Sequence, residues 1–409
     1  MKIQELKNKH IVILGYGAEG KSAETYIRAH FPDAHITIGD QANNPHYLAL
    51  QEQADVVIKS PGIPARLVTV PYTTPTNMFF ANADAEIIGV TGTKGKSTTT
   101  SLIYDILKEA DKPVRIAGNI GIPLLTELLQ RQGQETLYVC ELSSYQLENL
   151  QYSPHISVVL NVFPEHMPHH GDVHRYYAAK KNIISHAKTD DYYIYNPAFP
   201  LLVTWAKEAA CKTVPYTDDV PVYPDEVALQ GAHNMDNIRA AVTVARLYNI
   251  HKEAIRKALK AFKPLPHRME LVGEHNNIRF YDDAISTTPQ STIKAIETLK
   301  QIGTLFLGGT DRGYDFSELA ETIQAYEIPN IVLFPDSGKQ ILKTLQSKLH
   351  MLPHILETSR MEEAVKFAYE HTPAGSICLL SCASPSYSLW KNFEEKGNEF
   401  RRYADMYSK

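Results

Sequence analysis

Gly89-Val90-Thr91-Gly92-Thr93-Lys94-Gly95-Lys96-Ser97-Thr98 is the stretch from which the fold of this 409-residue chain can be read. Before it, Glu86-Ile87-Ile88-Gly89-Val90-Thr91 has the apolar, β-branched character of a buried strand. After it, Ser97 to Ala110 places Leu102, Ile103, Ile106 and Leu107 on one helical face, and Lys112-Pro113 ends the helix. Strand, glycine loop and helix in that order make a phosphate cradle. Backbone N–H groups close around phosphate oxygens at a helix N-terminus, Lys96 can reach the β/γ-phosphates, and the Ser97 hydroxyl can ligate Mg²⁺. Gly92, Thr93, Lys94, Gly95, Lys96, Ser97 and Thr98 are therefore candidate ATP- or GTP-binding residues. The spacing departs from G-x-x-x-x-G-K-[ST]: its first glycine would fall on Val90, and Gly92 is present instead. A glycine turn with a chance Lys-Ser is the competing reading, against which the flanking strand and helix argue.

Upstream lies a second glycine loop. The strand His10–Leu14 runs into Gly15-Tyr16-Gly17-Ala18-Glu19-Gly20 and an amphipathic helix through Arg28, a fit to G-x-G-x-x-G. A strand at His35–Gly39 ends at Asp40, near the distance expected of a carboxylate that bonds ribose or base. A third, Asp55–Lys59, meets Ser60-Pro61-Gly62-Ile63-Pro64, a turn with exposed donors. Taken alone this segment suggests an NAD-dependent oxidoreductase or another diphosphate binder, and the cradle that follows calls for a joint explanation.

Downstream, strands at Leu137–Cys140 and Ile156–Leu160 alternate with helical pattern, like a parallel sheet of the P-loop type. Glu141 stands at a strand end, where a carboxylate can hold Mg²⁺ opposite Ser97 or simply be solvated. His166, His169, His170 and His174 crowd the next loop. Without a thiolate or a second spaced pair they argue against zinc, so one or two are expected beside the phosphates and the rest in solvent. Lys180 and Lys181 follow on a helix whose plainest reading is a solvated face. After β-like stretches at 191–196 and 213–216, Asn234 and Asn237 lie three apart near the start of an alanine-rich helix, suited to capping or to a purine edge. Lys263-Pro264-Leu265-Pro266 reads as a hinge. Beyond it a third α/β unit has strands near Ile278–Tyr281, Leu305–Leu307, Ile331–Phe334 and Ile377–Leu380, with polar loops at their ends: Asp283 to Thr287, Gly308 to Arg312, and Ser381 to Ser386.

Composition narrows the class. A hydrophobic content of 44% with 21% charged residues is that of a globular protein of two to four domains. The net charge of −5 leaves no footprint for nucleic acid or anionic membrane. Neither a signal-peptide core nor a membrane-length apolar run is present, which points to the cytoplasm. Cys140, Cys211, Cys378 and Cys382 are irregularly spaced and read as core residues of a reducing compartment.

Together these motifs resemble the ATP-dependent Mur ligases of peptidoglycan synthesis over nearly the whole chain. The resemblance rests on Ser60-Pro61-Gly62-Ile63, the cradle, Gly118-Asn119-Ile120-Gly121, Glu141 to Glu148, Glu165-His166-Met167, Ala178-Ala179-Lys180, His233-Asn234 with Asn237, His267-Arg268, Gly308 to Gly313 and Lys391-Asn392-Phe393-Glu394. Glu141-Leu142-Ser143-Ser144 with Gln146, and Lys391-Asn392-Phe393, are similar to the branch that joins D-glutamate to UDP-N-acetylmuramoyl-L-alanine. The resemblance implies an α/β fold of three domains: a Rossmann-like UDP-binding domain over 1–84, a central P-loop ATPase domain over 85–265, and a Rossmann-like domain for amino acid and ATP over 266–409. It implies that Gly15, Tyr16, Asp40, Ser60, Gly62, Asn119, Ser143, Gln146 and His166 meet the UDP substrate, and that Asn237, Arg268 and Asp283 join the cradle on ATP. Lys96, Glu141, His166 and Lys180 would be catalytic. Two Mg²⁺ ions would be held by Ser97 and Glu141, and by His166 with a carbamylated Lys180, while Thr287, Arg312, Ser386 and Phe393 would bind the amino acid. A monomer is expected. Ile285 stands where many such enzymes carry lysine, Arg312 where some do, and Glu19 and Lys21 replace small or apolar loop residues. L-glutamate as the amino acid, a folylpolyglutamate-type ligase and a nucleotide-binding homologue without activity are the alternatives.

Overall fold

The computed structural model describes residues 1–130, 136–229 and 231–408, with the backbone alone for Pro168. Three sheets organise them, distributed over two compact units, Met1–Phe262 and Lys263–Lys409.

The first unit holds two parallel sheets. One consists of β1 (Ile11–Leu14), β2 (Ile36–Gly39), β3 (Val56–Lys59) and β4 (Tyr72–Thr73), in the order β2-β1-β3-β4. The other consists of β5 (Glu86–Thr91), β6 (Val114–Gly118), β7 (Leu137–Glu141), β8 (Ile156–Val159), β9 (Tyr192–Tyr195) and β10 (Lys212–Pro215), in the order β10-β9-β8-β5-β7-β6. β5 lies between β8 and β7 and is buried almost throughout, which suits its near-continuous apolar run. Its loop opens the helix Lys96–Glu109, whose Leu102, Ile103, Ile106 and Leu107 pack into one core with Ile238 and Val242 of the helix Ala232–Leu247. Burying each of those four side chains contributes roughly 1.5–3 kcal/mol.

A short helix ties the two sheets together. Pro75 presets its first turn, and the Thr74 side chain caps it by accepting from the Asn77 N–H at 3.1 Å. Phe79 on that helix stacks edge-on against Tyr138 of β7, 5.3 Å between centroids, so one core runs from Ile11 and Ile58 through Phe79 to Tyr138.

The second unit is built on β11 (Glu270–His275), β12 (Ile278–Asp282), β13 (Ile302–Gly308), β14 (Asn330–Phe334), β15 (His354–Glu357) and β16 (Ile377–Leu380), in the order β11-β12-β16-β13-β14-β15. Alternate residues enter two cores: Leu305, Leu307, Ile331 and Leu333 one, Phe306, Val332 and Phe334 the other. Helices therefore cover both faces.

Several elements escape the sequence reading. β11, absent from the strands read in the sequence, runs antiparallel to β12 with a bulge between Leu271 and Gly273 that breaks its alternation. β6 and β15 are half-exposed and carry little of the apolar signature of a central strand. Cys140, Cys378 and Cys382 are buried, but Cys211 is only half-buried because it precedes the exposed edge strand β10. Among the described residues no helix is long and apolar enough to cross a membrane.

Candidate active site

The cradle sits at the C-terminal end of β5. Gly95 takes φ +87°, and a Cβ there would stand 2.4 Å from Asn237 Oδ1, so both backbone shape and space call for glycine. Asn237 is fixed beside the loop by the Thr99 hydroxyl, which donates to its Oδ1 at 3.2 Å, and by its own Nδ2, which donates to Asn234 Oδ1 at 3.1 Å. The Thr93 Oγ lies 2.9 Å from the Tyr176 hydroxyl, and Asn161 Oδ1 accepts the Lys94 N–H at 2.9 Å. Lys94 Nζ donates to Glu165 Oε1 at 2.6 Å. Burial pushes the Glu165 carboxyl up, but the Lys94 ammonium together with the charges of His166 and Lys96 outweighs it and holds the group below its ordinary range.

Two lysines converge on this loop. Lys96 Nζ donates to the carbonyls of Gly92 and Thr93, each at 3.0 Å, and Lys180 Nζ donates to the same Gly92 carbonyl at 2.7 Å. The solvated face expected for Lys180 is not what the helix Val173–Ser185 presents: Lys180 is buried, with Nζ 5.1 Å from the centroid of the Tyr176 ring, and only Lys181 is partly exposed. Burial, joined by the positive charge of Lys96, drives the Lys180 ammonium well below its usual pKa.

Glu141 ends β7 and is likewise buried rather than solvated. Its Oε1 accepts from Asn119 Nδ2 at 2.8 Å, while its Oε2 is buried without a hydrogen-bond partner. A carboxylate oxygen left in that state fits a cation, so Glu141 is a competent Mg²⁺ ligand. His166 occupies the N-cap position of the helix Met167–His170 in the left-handed region at φ 60°, without a side-chain cap bond and half-exposed, and partial burial together with Lys96 keeps its imidazole below the usual pKa although Glu165 opposes this. Of the remaining histidines, His169 and His170 are buried and His174 is exposed, so the expectation of solvated neighbours holds for His174 alone.

The residues expected to meet the UDP substrate gather at the ends of β1, β2 and β3. Ser60 Oγ donates to the Gly15 carbonyl at 2.5 Å, and Asp40 accepts the Tyr16 N–H at 2.5 Å and the Ala42 N–H at 2.9 Å. Asp40 thus fastens two loops with the oxygens expected to meet ribose or base, and these donors hold its carboxyl below the ordinary range. Gly62 is exposed. Ser143 and Gln146 form a reciprocal cap on the helix Ser144–Leu147, and Gln146 Nε2 donates to Glu19 Oε1 at 3.0 Å.

In the second unit, Asp283, Thr287 and Ser386 lie on loops that leave β12 and β16. Asp283 accepts from Ser381 Oγ at 2.7 Å and from the Met269 N–H at 3.3 Å; burial, partly offset by these bonds and by Arg268, pushes its carboxyl up to about 6. Gly309 brings its backbone so close to Pro385 that a Cβ would stand 2.2 Å from the Pro385 carbonyl. Thr310 Oγ1 and Ser386 Oγ are buried there without a hydrogen-bond partner, an arrangement suited to a polar ligand. Arg312 is exposed, and the Phe393 ring lies 5.9 Å from that of His267. Thr310, Glu165, Asn161 and Tyr176 are absent from the candidates read in the sequence. Only Thr310 and Glu165, inside quoted motifs, carried any signal there.

Sheets of mainly parallel strands whose polar residues collect at strand C-termini, one strand ending in a glycine cradle with two lysines, define an α/β protein of the class that works on ligands at that sheet edge. The chain belongs to the Mur ligase family. Residues 90–222 match the Mur ligase middle domain, and residues 267–383 the Mur ligase glutamate ligase domain. The UDP-N-acetylmuramoylalanine–D-glutamate ligase of Thermoanaerobacter sp. (strain X514) is 30% identical over 97% of this chain and 98% of that protein. The UDP-N-acetylmuramoyl-L-alanine–L-glutamate ligase of Micromonospora sp. (strain ATCC 39149) is 32% identical over 98% and 97%. Among solved structures, the fold is similar to MurF ligase of Thermotoga maritima in complex with ADP, with TM-score 0.63 and 17% identity over 99% of this chain and 97% of that one.

Proposed function

We propose that the protein is an ATP-dependent cytoplasmic ligase that joins D-glutamate to UDP-N-acetylmuramoyl-L-alanine, acting as a monomer. The observation that carries the reading is the cradle, in which Lys96 and the buried Lys180 converge on the Gly92 carbonyl while the neighbouring strand β7 ends in Glu141, whose Oε2 is buried without a partner. In this reading 1–84 bind the UDP moiety through Gly15, Tyr16, Asp40, Ser60 and Gly62, with Asn119, Ser143, Gln146 and His166 toward the muramoyl end. Residues 85–265 hold ATP through Gly92 to Thr98 and Asn237, and 266–409 bring Arg268 and Asp283 to ATP and Thr287, Arg312, Ser386 and Phe393 to the amino acid.

The chemistry is carboxylate activation. The alanyl carboxylate attacks the γ-phosphorus of ATP and expels ADP; the glutamate amine then adds to the acyl carbon, loses a proton and expels phosphate. Lys96 neutralises charge on the transferring phosphoryl group, and the Gly95-opened helix N-terminus orients it. Ser97 and Glu141 would hold one Mg²⁺, and His166 with carbamylated Lys180 the other; bound there, the ions stabilise phosphoryl charge. Carbamylation suits the site because a lysine held neutral has a free lone pair for the carbon of CO₂. The adduct loses a proton and leaves an anion beside the Lys96 cation. Relatives named as D-glutamate ligases favour D-glutamate, and the L-glutamate ligases at 32% identity supply the second reading, L-glutamate.

The mechanism is tested with UDP-N-acetylmuramoyl-L-alanine labelled with ¹⁸O in its carboxylate. Transfer of one label to inorganic phosphate is expected, and phosphate without label would contradict an acyl phosphate.

A further inference from the structure

The short helix Met167–His170 and the end of the helix Ser144–Leu147 bring two imidazoles and a carboxylate together beside the Tyr176 ring. His169 Nε2 lies 3.3 Å from Glu148 Oε2, and His170 Nδ1 lies 3.9 Å from Glu148 Oε1. One ligand atom from each of the three residues falls within 4.8 Å of the others. Two ligands about 2.1 Å from a tetrahedral zinc ion stand roughly 3.4 Å apart, so the first pair already has that spacing and the second closes with a small ring movement.

His170 supplies the independent sign of a ligand. The residue is only 2% exposed, and its Nδ1 is buried without a hydrogen-bond partner. Its Nε2 is 3.1 Å from Ser144 Oγ. If Nε2 carries the proton and donates to that hydroxyl, the bare Nδ1 lone pair lies 3.9 Å from a carboxylate oxygen to which it cannot donate. If Nδ1 carries it, the oxygen lies beyond hydrogen-bond length. Either tautomer leaves a buried polar group unmet, a cost of about 1–3 kcal/mol that a shared cation would remove. The Ser144 contact is also the outer-shell bond that orients a ligating imidazole.

We propose that Glu148, His169 and His170 bind a divalent transition metal of the zinc class, at a site distinct from that proposed for the reaction magnesium. Two imidazoles and one carboxylate select Zn²⁺ or Co²⁺ over Mg²⁺, which prefers oxygen ligands. Sequence reasoning discounts zinc here because the histidines lack a thiolate or a second pair; the missing ligand is Glu148, supplied from another helix. The competitor is the buried Lys59, whose Nζ lies 3.7 Å from Glu148 Oε2 and shares that carboxylate. The site joins two segments, since Ala65 N–H donates to Glu148 Oε2 at 3.4 Å and Arg66 to the His169 carbonyl at 2.5 Å. Metal there would stiffen this junction. The inference does not depend on the ligase reading.

The test is titration of the chelator-stripped full-length protein with Co²⁺ in excess Mg²⁺, followed by visible absorption. A single site with a tetrahedral-type spectrum is expected, displaced by Zn²⁺ and weakened at least roughly tenfold in His169→Gln, in His170→Gln and in Glu148→Gln. Lys59→Met, which removes the competing cation, should tighten it several-fold. Circular dichroism checks each variant, and Glu148→Gln with His169→Gln carries the test if His170→Gln does not fold. Absence of Co²⁺ binding, which would leave a water as the partner of His170, overturns the proposal. So does binding that survives the Glu148 and His169 variants, or that is lost only in His166→Ala.

Discussion

Two glycine loops of the first unit have the same backbone plan and opposite charge. Gly15 follows β1 at φ +84° and Gly95 precedes its helix at φ +87°, each on a strand flanked by parallel neighbours. At the start of the first helix stands Glu19, whose Oε1 accepts from Gln146 and whose Oε2 is buried without a partner; burial raises its carboxyl to about 7 although the Gln146 bond opposes this. At the start of the second stands Lys96, with Lys180 beside it. Glycines fix the shape of a phosphate cradle, and the side chains on the adjoining helix and strand ends fix which charge it accepts.

The contrast is broken most directly at Lys96. Lys96→Ala should lower phosphate release by roughly a thousandfold or more with the fold intact, since a transition-state charge loses its partner; an unchanged rate in a coupled phosphate assay would remove the cradle from the reaction. Lys180→Ala should cost about a hundredfold, and the intact protein should lose activity when CO₂ and bicarbonate are stripped and regain it on their return. Activity indifferent to bicarbonate would mean that Lys180 acts as the amine. Gly95→Ala should destabilise by about 1–3 kcal/mol in urea unfolding, from its left-handed backbone and the Asn237 clash. Gly17→Ala, with nothing within 4 Å of its Cβ, should cost less than about 1 kcal/mol.

The smallest effect concerns pH. Glu19 is neutral below about 7 and anionic above it, so affinity for an anionic UDP substrate should be highest on the acid side and weaken as pH rises through 7. Glu19→Gln should flatten that dependence and improve binding at pH 8 by about three- to tenfold. A slope that persists in the variant would assign it to another group.

Much of the fold was legible because β1, β3 and β5 are buried strands built largely of Val, Ile and Leu, and Gly-Lys-Ser marks where one helix begins. What stayed hidden was set by three-dimensional neighbours. The burial of Lys180 does not follow from its helix pattern, since Tyr176 and the Gly92 carbonyl cover it. Glu148 carried no local sign of approaching His169. Asp40 was legible as a strand-end carboxylate, but its bonds to the Tyr16 and Ala42 N–H groups follow from loop geometry.

The central claim is tested by phosphate release from ATP with UDP-N-acetylmuramoyl-L-alanine and a panel of D- and L-amino acids. Release that requires both the UDP substrate and D-glutamate, with one amide formed per phosphate, is the predicted result. Release that is independent of the UDP substrate, or turnover with L-glutamate and none with D-glutamate, would contradict it.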